Sequence, residues 1–338
     1  MNMVIRSRAP LRISLGGGGT DVSPYTEEYG GVALNAAINK YSWGSLDFTH
    51  DGKIHLHSYD YNQTLSLKNI SALKYDGKLD LLKAVIKHMY NGKNGINLYL
   101  RTDVGPRSGL GGSASAFVAA IGLFNHIKGR RTMSPYEIAE FAYKLEREEL
   151  KVPGGRQDQY ATVFGGFNFM EFKGHDFVRV TPLKIKKDYL LELETNTILV
   201  RIVPRKMADD VLADQRKNVQ TGKTLEAMHS TKELAYEMKD ALLGGDLDAF
   251  GGLLHRAWEE KKKFSKLISN PEIDRLYSIA RKNGAIGGKI TGAGGGGHMI
   301  FYCKFNTEQK VKEALAKAGA IPVDFSFDFN GLQTWEVV

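Results

Sequence analysis

Residues 104–115 read VGPRSGLGGSAS. Upstream, Ile96–Thr102 (INLYLRT) alternates apolar and polar residues, the pattern of a half-exposed strand. Downstream, Ser113–Lys128 has the apolar content of a helix, with Gly129 as its stop. Strand, glycine-rich loop and helix start, in that order, make an anion cradle. Backbone N–H groups face a phosphate with no side chain in the way, and the helix start adds unpaired N–H groups and its positive dipole end. The stretch lacks the G-K-[ST] ending of a P-loop. Gly109, Gly111 and Ala114 satisfy a loose G-x-G-x-x-A pattern, but two features oppose a dinucleotide fold. The preceding strand alternates where a parallel sheet calls for a continuous apolar run. Lys128-Gly129-Arg130-Arg131 stands where a ribose-binding acid would fall. Taken alone, the loop also admits a purely structural glycine turn.

Two further glycine runs change the balance. Residues 289–298 read KITGAGGGGH between two strand patterns, and residues 15–21 read LGGGGTD. Backbone that close-packed serves approach to a ligand or to another segment. Three such loops in one chain fit wrapping around a polyanionic ligand and its co-substrate. The rest of the 338 residues is ordinary for a folded protein, with 42% hydrophobic and 25% charged residues. A net charge of +8 suits anionic partners, nucleotides and sugar phosphates included. No aromatic-interleaved basic stripe points to nucleic acid, and no apolar run is long enough to span a membrane. The chain reads as cytoplasmic, and its sole cysteine, Cys303 in MIFYCKF, reads as a buried, inert strand residue.

The element pattern is α+β. Strands are expected at Met3–Ser7, Leu11–Leu15, Ala33–Ile38 and Trp43–Thr49, with a hairpin turn at Asp51-Gly52 before Ile54–Ser58. Helices dominate from residue 208 to 283, and Pro322–Phe327 and Gln333–Val337 are expected to pair across Asn330-Gly331. The change in character places a boundary near residue 185, giving units 1–185 and 186–338.

The three loops and their order resemble the GHMP kinase superfamily. Its first motif stands here as Ala9-Pro10-Leu11-Arg12 with Asp21 downstream, its second as Pro106 to Ser115, and its third as Lys289 to Gly297. Gly154-Gly155-Arg156-Gln157-Asp158-Gln159 looks like the G-x-x-D-Q turn of the galactokinase branch, and Glu146 stands where that branch has its metal-binding glutamate. The LGGGGTD stretch and the run from His255 to Gly297 look like the heptose 7-phosphate kinase branch, with L-fucokinases as the alternative. The resemblance implies an N-terminal ribosomal-protein-S5-like α/β domain, a C-terminal ferredoxin-like α+β domain, and an active site between them. It implies an ATP-dependent kinase acting on a small sugar or sugar phosphate at its anomeric hydroxyl, with ATP and Mg²⁺ as cofactors. A homodimer is left open, and a non-catalytic sugar or ATP sensor is the remote alternative.

Roles follow from that resemblance. Pro106, Arg107, Ser108, Gly109, Leu110, Gly111, Gly112, Ser113, Ala114 and Ser115 would cradle the ATP phosphates. Gly112-Ser113 replaces the usual serine pair, so the loop offers one hydroxyl fewer. Ser113 and Glu146 would hold Mg²⁺, which needs one or two protein oxygens beside phosphates and water. Asp158 would accept the proton of the acceptor hydroxyl or only orient that hydroxyl, and Arg12 would keep it ionised and stabilise charge near the transferring phosphoryl. Asp21, Gly18, Gly19, Thr20, Arg156, Thr291, Gly292, Ala293 and Gly294 are the expected substrate contacts. Arg8, Arg107 and Arg156 are candidates for a substrate phosphate. Lys261-Lys262-Lys263 reads as a solvated helix face, and Lys289 as a strand residue pointing away from the site.

Overall fold

The computed structural model describes residues 3–92, 94–127, 132–202, 208–219 and 222–337. The expected helix stop at Gly129 lies outside the described residues. Along the chain run β1 (Val4–Gly16), α1 (Tyr25–Tyr29), β2 (Gly31–Thr49), β3 (Ile54–Ser58), β4 (Gln63–Leu67), α2 (Asp80–Met89), β5 (Gly95–Thr102) and α3 (Gly112–Ile127). Then come α4 (Pro135–Tyr143), a π-helical turn (Lys144–Glu149), α5 (Gln157–Phe164), β6 (Phe167–Lys173), β7 (Phe177–Pro182) and α6 (Lys187–Asn196). The last third holds β8 (Thr197–Arg201), α7 (Ala208–Asn218), α8 (Gly222–Gly244), α9 (Leu247–Lys262) and α10 (Pro271–Asn283). It ends with β9 (Ala285–Ile290), β10 (His298–Cys303), α11 (Glu308–Lys317), β11 (Ile321–Val323) and β12 (Gln333–Val337).

Among the described residues the strands form two sheets. One has eight strands, with β12-β1-β2-β5-β3-β4 in sequence and β6-β7 attached to β2. The other has the order β11-β8-β10-β9, antiparallel throughout. With helices between β8 and β9 and between β10 and β11, that order is the ferredoxin-like arrangement expected for the second unit.

Several local expectations change. The two short strands expected on either side of Pro10 are one strand, as are the two expected within β2. The β1–β2 register shifts between Pro10 and Leu11, so the proline, which cannot donate to the ladder, falls at an irregularity. β2 is long enough to pair with β6 through residues 31–36 and with β5 through residues 42–49. Asp51-Gly52 does not close a hairpin. β5 lies between β2 and β3, antiparallel to the first and parallel to the second. The pair expected across Asn330-Gly331 does not form either. β11 joins β8 while β12 returns to β1, so the last strand belongs to the first sheet. Between them Asp328 Oδ1 accepts the N–H groups of Asn330 and Gly331, and its Oδ2 accepts from the Tyr41 hydroxyl, which makes a corner where a hairpin was expected. α6 buries only Leu193 and Asn196, so it left little periodicity to read.

α3 is buried along almost its whole length, because it lies over β1 and β2 and beneath α2, α4 and α5. A second core cluster crosses from the large sheet to the small one, joining Leu11, Leu34 and Phe167 to Leu254, Phe250 and Ile300. Opening that seam would expose side chains that each contribute roughly 1.5–3 kcal/mol by burial. The two units therefore present fixed walls to whatever binds between them. Cys303 is fully buried in the small sheet, and burial pushes its thiol up to about 12, so it stays protonated and inert.

Candidate active site

A cleft of about 1010 Å³ runs between the two units, floored by the start of α3. Arg107, Gly109, Gly111, Gly112 and Ser113 line it on one side, and Lys261, Gly292 and Ala293 on the other. The first turn of α3 carries no acid, whereas α10 places Glu272 and Asp274 in its own. An N-terminus without a carboxylate keeps its dipole and N–H groups for an external anion. A Cβ on Gly105 would meet nothing within 4 Å, and one on Gly112 only Thr102 Cγ2 at 3.8 Å, so the protein itself does not demand glycine there.

β1 carries Arg12 to the rim. Its backbone N–H donates to Leu110 O at 3.0 Å and its Nη1 to Gly109 O at 2.8 Å, which staples the glycine loop to the strand. The other edge of the guanidinium meets Asp158 Oδ1, from Nε at 2.8 Å and Nη2 at 2.7 Å. Asp158 sits in the first turn of α5 and is partly open to the cleft. An ion pair this short, with one partner buried, fixes both side chains.

Asp21 is buried against the start of α5. Its carboxylate accepts from Gly19 N (3.1 Å), Gln157 Nε2 (3.1 Å) and Gln157 N (3.4 Å). Burial raises its pKa above the ordinary carboxylate value, and the nearby charge of Asp158 adds to that, against the lowering effect of the donors. Gly155 is required here because a Cβ would lie 2.1 Å from Asp21 Oδ2. Gly155 of the Gly154–Gln159 turn thus admits the aspartate, whereas a Cβ on Gly154 would meet the Arg147 guanidinium.

Glu146 lies in the π-helical turn, a local widening that often marks functional positions. Its side chain is 1% exposed and lines the cleft. Gln159 Nε2 donates to Oε2 at 2.7 Å, and Arg147 Nη1 lies 3.4 Å from Oε1. Ser113 is exposed on the same cleft. Among the described residues no cluster of three acidic, histidine or cysteine side chains could hold a metal. The donor set here is one carboxylate and one hydroxyl, which suits a hard cation completed by phosphate oxygens and water.

Some expected residues serve other ends. Arg156 does not line the cleft. It caps α5, reaches back to Glu140 (Nε 3.2 Å, Nη2 3.3 Å) and stacks over Tyr143. Arg8 faces Gln333 and the Tyr41 ring. Thr20 Oγ1 bonds Gly17 O, Val32 O and Val32 N, so it holds the loop, not a ligand. Ser115 Oγ is spent on Ala9 O at 2.8 Å in a fully buried position. Leu110 is core, and Thr291 is buried with its hydroxyl on His298 O. Gly18 and Gly294 sit behind the lining, while Pro106, Ser108 and Ala114 line it.

Lys261 is the reverse case. It is 3% exposed, lines the cleft and donates to Gly292 O at 2.8 Å. Leu254, Trp258 and Lys261 repeat at spacings of four and three, a buried stripe that the KKK run obscured. Lys289 does not line the cleft; its Nζ turns into the core and donates to Leu15 O at 3.0 Å, and burial depresses its pKa strongly. Sequence reasoning also missed the far end of the cleft, formed by Ser58, Asp60, Tyr61, Leu79, Leu81 and Leu100. Leu79 adopts φ +53° there, a conformation that leucine does not advertise.

Comparison with known proteins agrees with this geometry. The family description "GHMP kinases N terminal domain" matches residues 80–166, and "GHMP kinases C terminal" matches residues 238–321. D-glycero-alpha-D-manno-heptose 7-phosphate kinase of Campylobacter jejuni is 39% identical over 98% of this chain and 99% of its own. A solved D-glycero-D-manno-heptose 1-phosphate kinase from Bacteriodes thetaiotaomicron superimposes with TM-score 0.84 at 34% identity, covering 99% of both chains. Lactococcus lactis galactokinase, at 19% identity and TM-score 0.77 over 99% of this chain and 95% of its own, shares the fold. Both family domains, a relative matched along its whole length and the two-unit fold agree, and the chain belongs to the GHMP kinases.

Proposed function

We propose that this enzyme transfers the γ-phosphoryl group of ATP to the anomeric hydroxyl of D-glycero-D-manno-heptose 7-phosphate, in the cytoplasm, yielding the 1,7-bisphosphate. GHMP kinases use ATP as donor, and a heptose 7-phosphate kinase and a heptose 1-phosphate kinase stand among the relatives. The observation that carries the reading is the Arg12–Asp158 pair, set between the loop at Gly109 and the buried Asp21. The chain divides near residue 185 into an ATP-binding unit and a second unit, β12 excepted.

The phosphates lie along Arg107–Ser113 and the start of α3, and the base extends toward Tyr61, Leu79 and Leu100. Mg²⁺ held by Ser113 and Glu146 would neutralise charge on the β- and γ-phosphates. Asp158 orients the acceptor hydroxyl and takes its proton as the sugar oxygen bonds to the γ-phosphorus and the bond to the β-phosphate oxygen breaks. Arg12 pairs with Asp158 and, through Gly109 O, fixes its position relative to the phosphate loop. Asp21 accepts hydrogen bonds from sugar hydroxyls.

The test is ADP release with Mg-ATP and D-glycero-D-manno-heptose 7-phosphate, L-fucose, D-galactose, D-mannose or mevalonate, with phosphorus NMR of the product. Turnover confined to the heptose phosphate, with a new anomeric phosphate signal, is expected. Turnover confined to a neutral sugar would reject the heptose assignment.

A further inference from the structure

The cleft wall opposite the phosphate loop holds polar groups that the transfer step does not use. Lys261 Nζ reaches the cleft from α9, and its burial is nearly complete. A Cβ placed on Gly18 would lie 3.8 Å from that nitrogen, 3.4 Å from Gln157 Nε2 and 2.8 Å from Ser14 Oγ. A Cβ on Gly19 would lie 2.6 Å from Gln215 Nε2. Lys261 and Gln215, both lining the cleft, therefore pack directly against the bare Gly18-Gly19 backbone, with Gly18 and Ser14 behind the lining. Ser14 Oγ and Gln215 Nε2 are buried and have no hydrogen-bond partner among the described residues, and Gln215 is 3% exposed overall. An unsatisfied buried donor is costly, and a ligand bringing acceptors would offset that cost.

The charge pattern agrees. Burial, and after it the like charges of Lys261 and Arg12, disfavour the charged form of Lys289, so positive potential gathers at this end of the cleft. Asp158 is already committed to Arg12. Of the arginines that sequence suggested for a substrate phosphate, Arg8 and Arg156 face Gln333 and Glu140 instead, and Arg107 lines the cleft on the phosphate-loop side.

We propose that Lys261 and Gln215, above the Gly18-Gly19 backbone, hold the phosphate already carried by the acceptor. This rests on the sugar-phosphate reading above. Lys261 then acts as a specificity residue. It selects a dianionic acceptor over its neutral analogue, because a buried ammonium opposite an uncharged group loses its compensating charge.

The experiment compares kcat/KM for D-glycero-D-manno-heptose 7-phosphate and for unphosphorylated D-glycero-D-manno-heptose. It uses wild type, Lys261→Met, Lys261→Arg and Gln215→Ala, with thermal midpoints recorded for each. Lys261→Met is expected to cut the phosphate-over-neutral ratio about thirtyfold or more, mainly through acceptor KM, with ATP KM moving far less. Lys261→Arg should restore part of the ratio, and Gln215→Ala should lower it by a smaller factor even if Lys261→Met folds poorly. An unchanged ratio, with both acceptors and ATP weakened together and a lower midpoint, would mean that Lys261 only props Gly292, and would overturn the proposal. A wild type indifferent to the phosphate would overturn this proposal and the sugar-phosphate reading together. A wild type that prefers the phosphate, with Lys261→Met and Gln215→Ala retaining that preference, would overturn this proposal alone.

Discussion

The two glycine runs on either side of the cleft look alike in sequence and do different work. In 105–112, Gly105 and Gly112 have open space where a side chain would go, whereas Gly109 (φ +78°, Thr291 O at 2.7 Å) and Gly111 (φ +76°) are required by the fold. In 292–297, glycine is demanded by the protein itself. Gly292 packs against Gly109 O at 2.8 Å, Gly294 against Ile268 Cα at 3.0 Å, and Gly297 against Ser108 O at 2.4 Å, measured from an added Cβ. All three have positive φ. His298 Nδ1, just beyond, bonds Ser108 O at 2.8 Å. The second run is a brace that holds the first in shape, and the first is the surface a ligand meets. A glycine-rich motif can thus be required by fold or by ligand, and the neighbours of the missing Cβ tell which.

Substitutions can break that comparison. Gly297→Ala should have the largest effect on stability, because both φ +92° and the contact with Ser108 O oppose a side chain. A loss of about 2–4 kcal/mol is expected in denaturant melts, as for other strained or overpacked sites. A smaller effect of opposite sign is expected at Lys289, which crosses from β9 to Leu15 O on the other unit. Its folded-state pKa lies well below the ordinary 10.5. The unfolded chain therefore holds the proton more tightly, and folding stability rises with pH up to about that ordinary value. Lys289→Met should raise the thermal midpoint at pH 7, with the gain narrowing as pH approaches 10. The lost hydrogen bond, worth about 1 kcal/mol, limits the gain. If the substitution lowers the midpoint at pH 7, the lysine is a net support of the seam. Gly112→Ala should have the smallest effect on stability, a gain of roughly 0.5–1 kcal/mol from helix propensity. Its ATP KM should nevertheless rise as the methyl enters the phosphate cradle. A stable variant with unchanged ATP KM would move the phosphates away from the start of α3.

Much of this was legible in the chain. The alternation of Ile96, Leu98 and Leu100 fixed β5, and the loop after it pointed to an anion at the start of α3. Arg12, Asp21, Glu146 and Asp158, separated by up to 146 positions, were joined only by the resemblance to a family, since no local pattern links them. Long-range geometry was not legible. That β5 would part β2 from β3, or that β12 would return to β1, depends on pairing partners far along the chain. Side-chain direction was misread where polarity was taken for exposure. Arg156 turned to Glu140, while Lys261 turned inward, because a carbonyl can satisfy a buried ammonium as a carboxylate can.

The most direct test is Asp158→Asn, assayed for ADP formation with the heptose 7-phosphate and for Mg-ATP binding by calorimetry on the same preparation. Retained ATP affinity with turnover reduced by about 10²–10⁴ is the expected result. Turnover within a few-fold of wild type would contradict the assignment of proton transfer to Asp158, and with it the reading of the Arg12–Asp158 pair as the centre of the site.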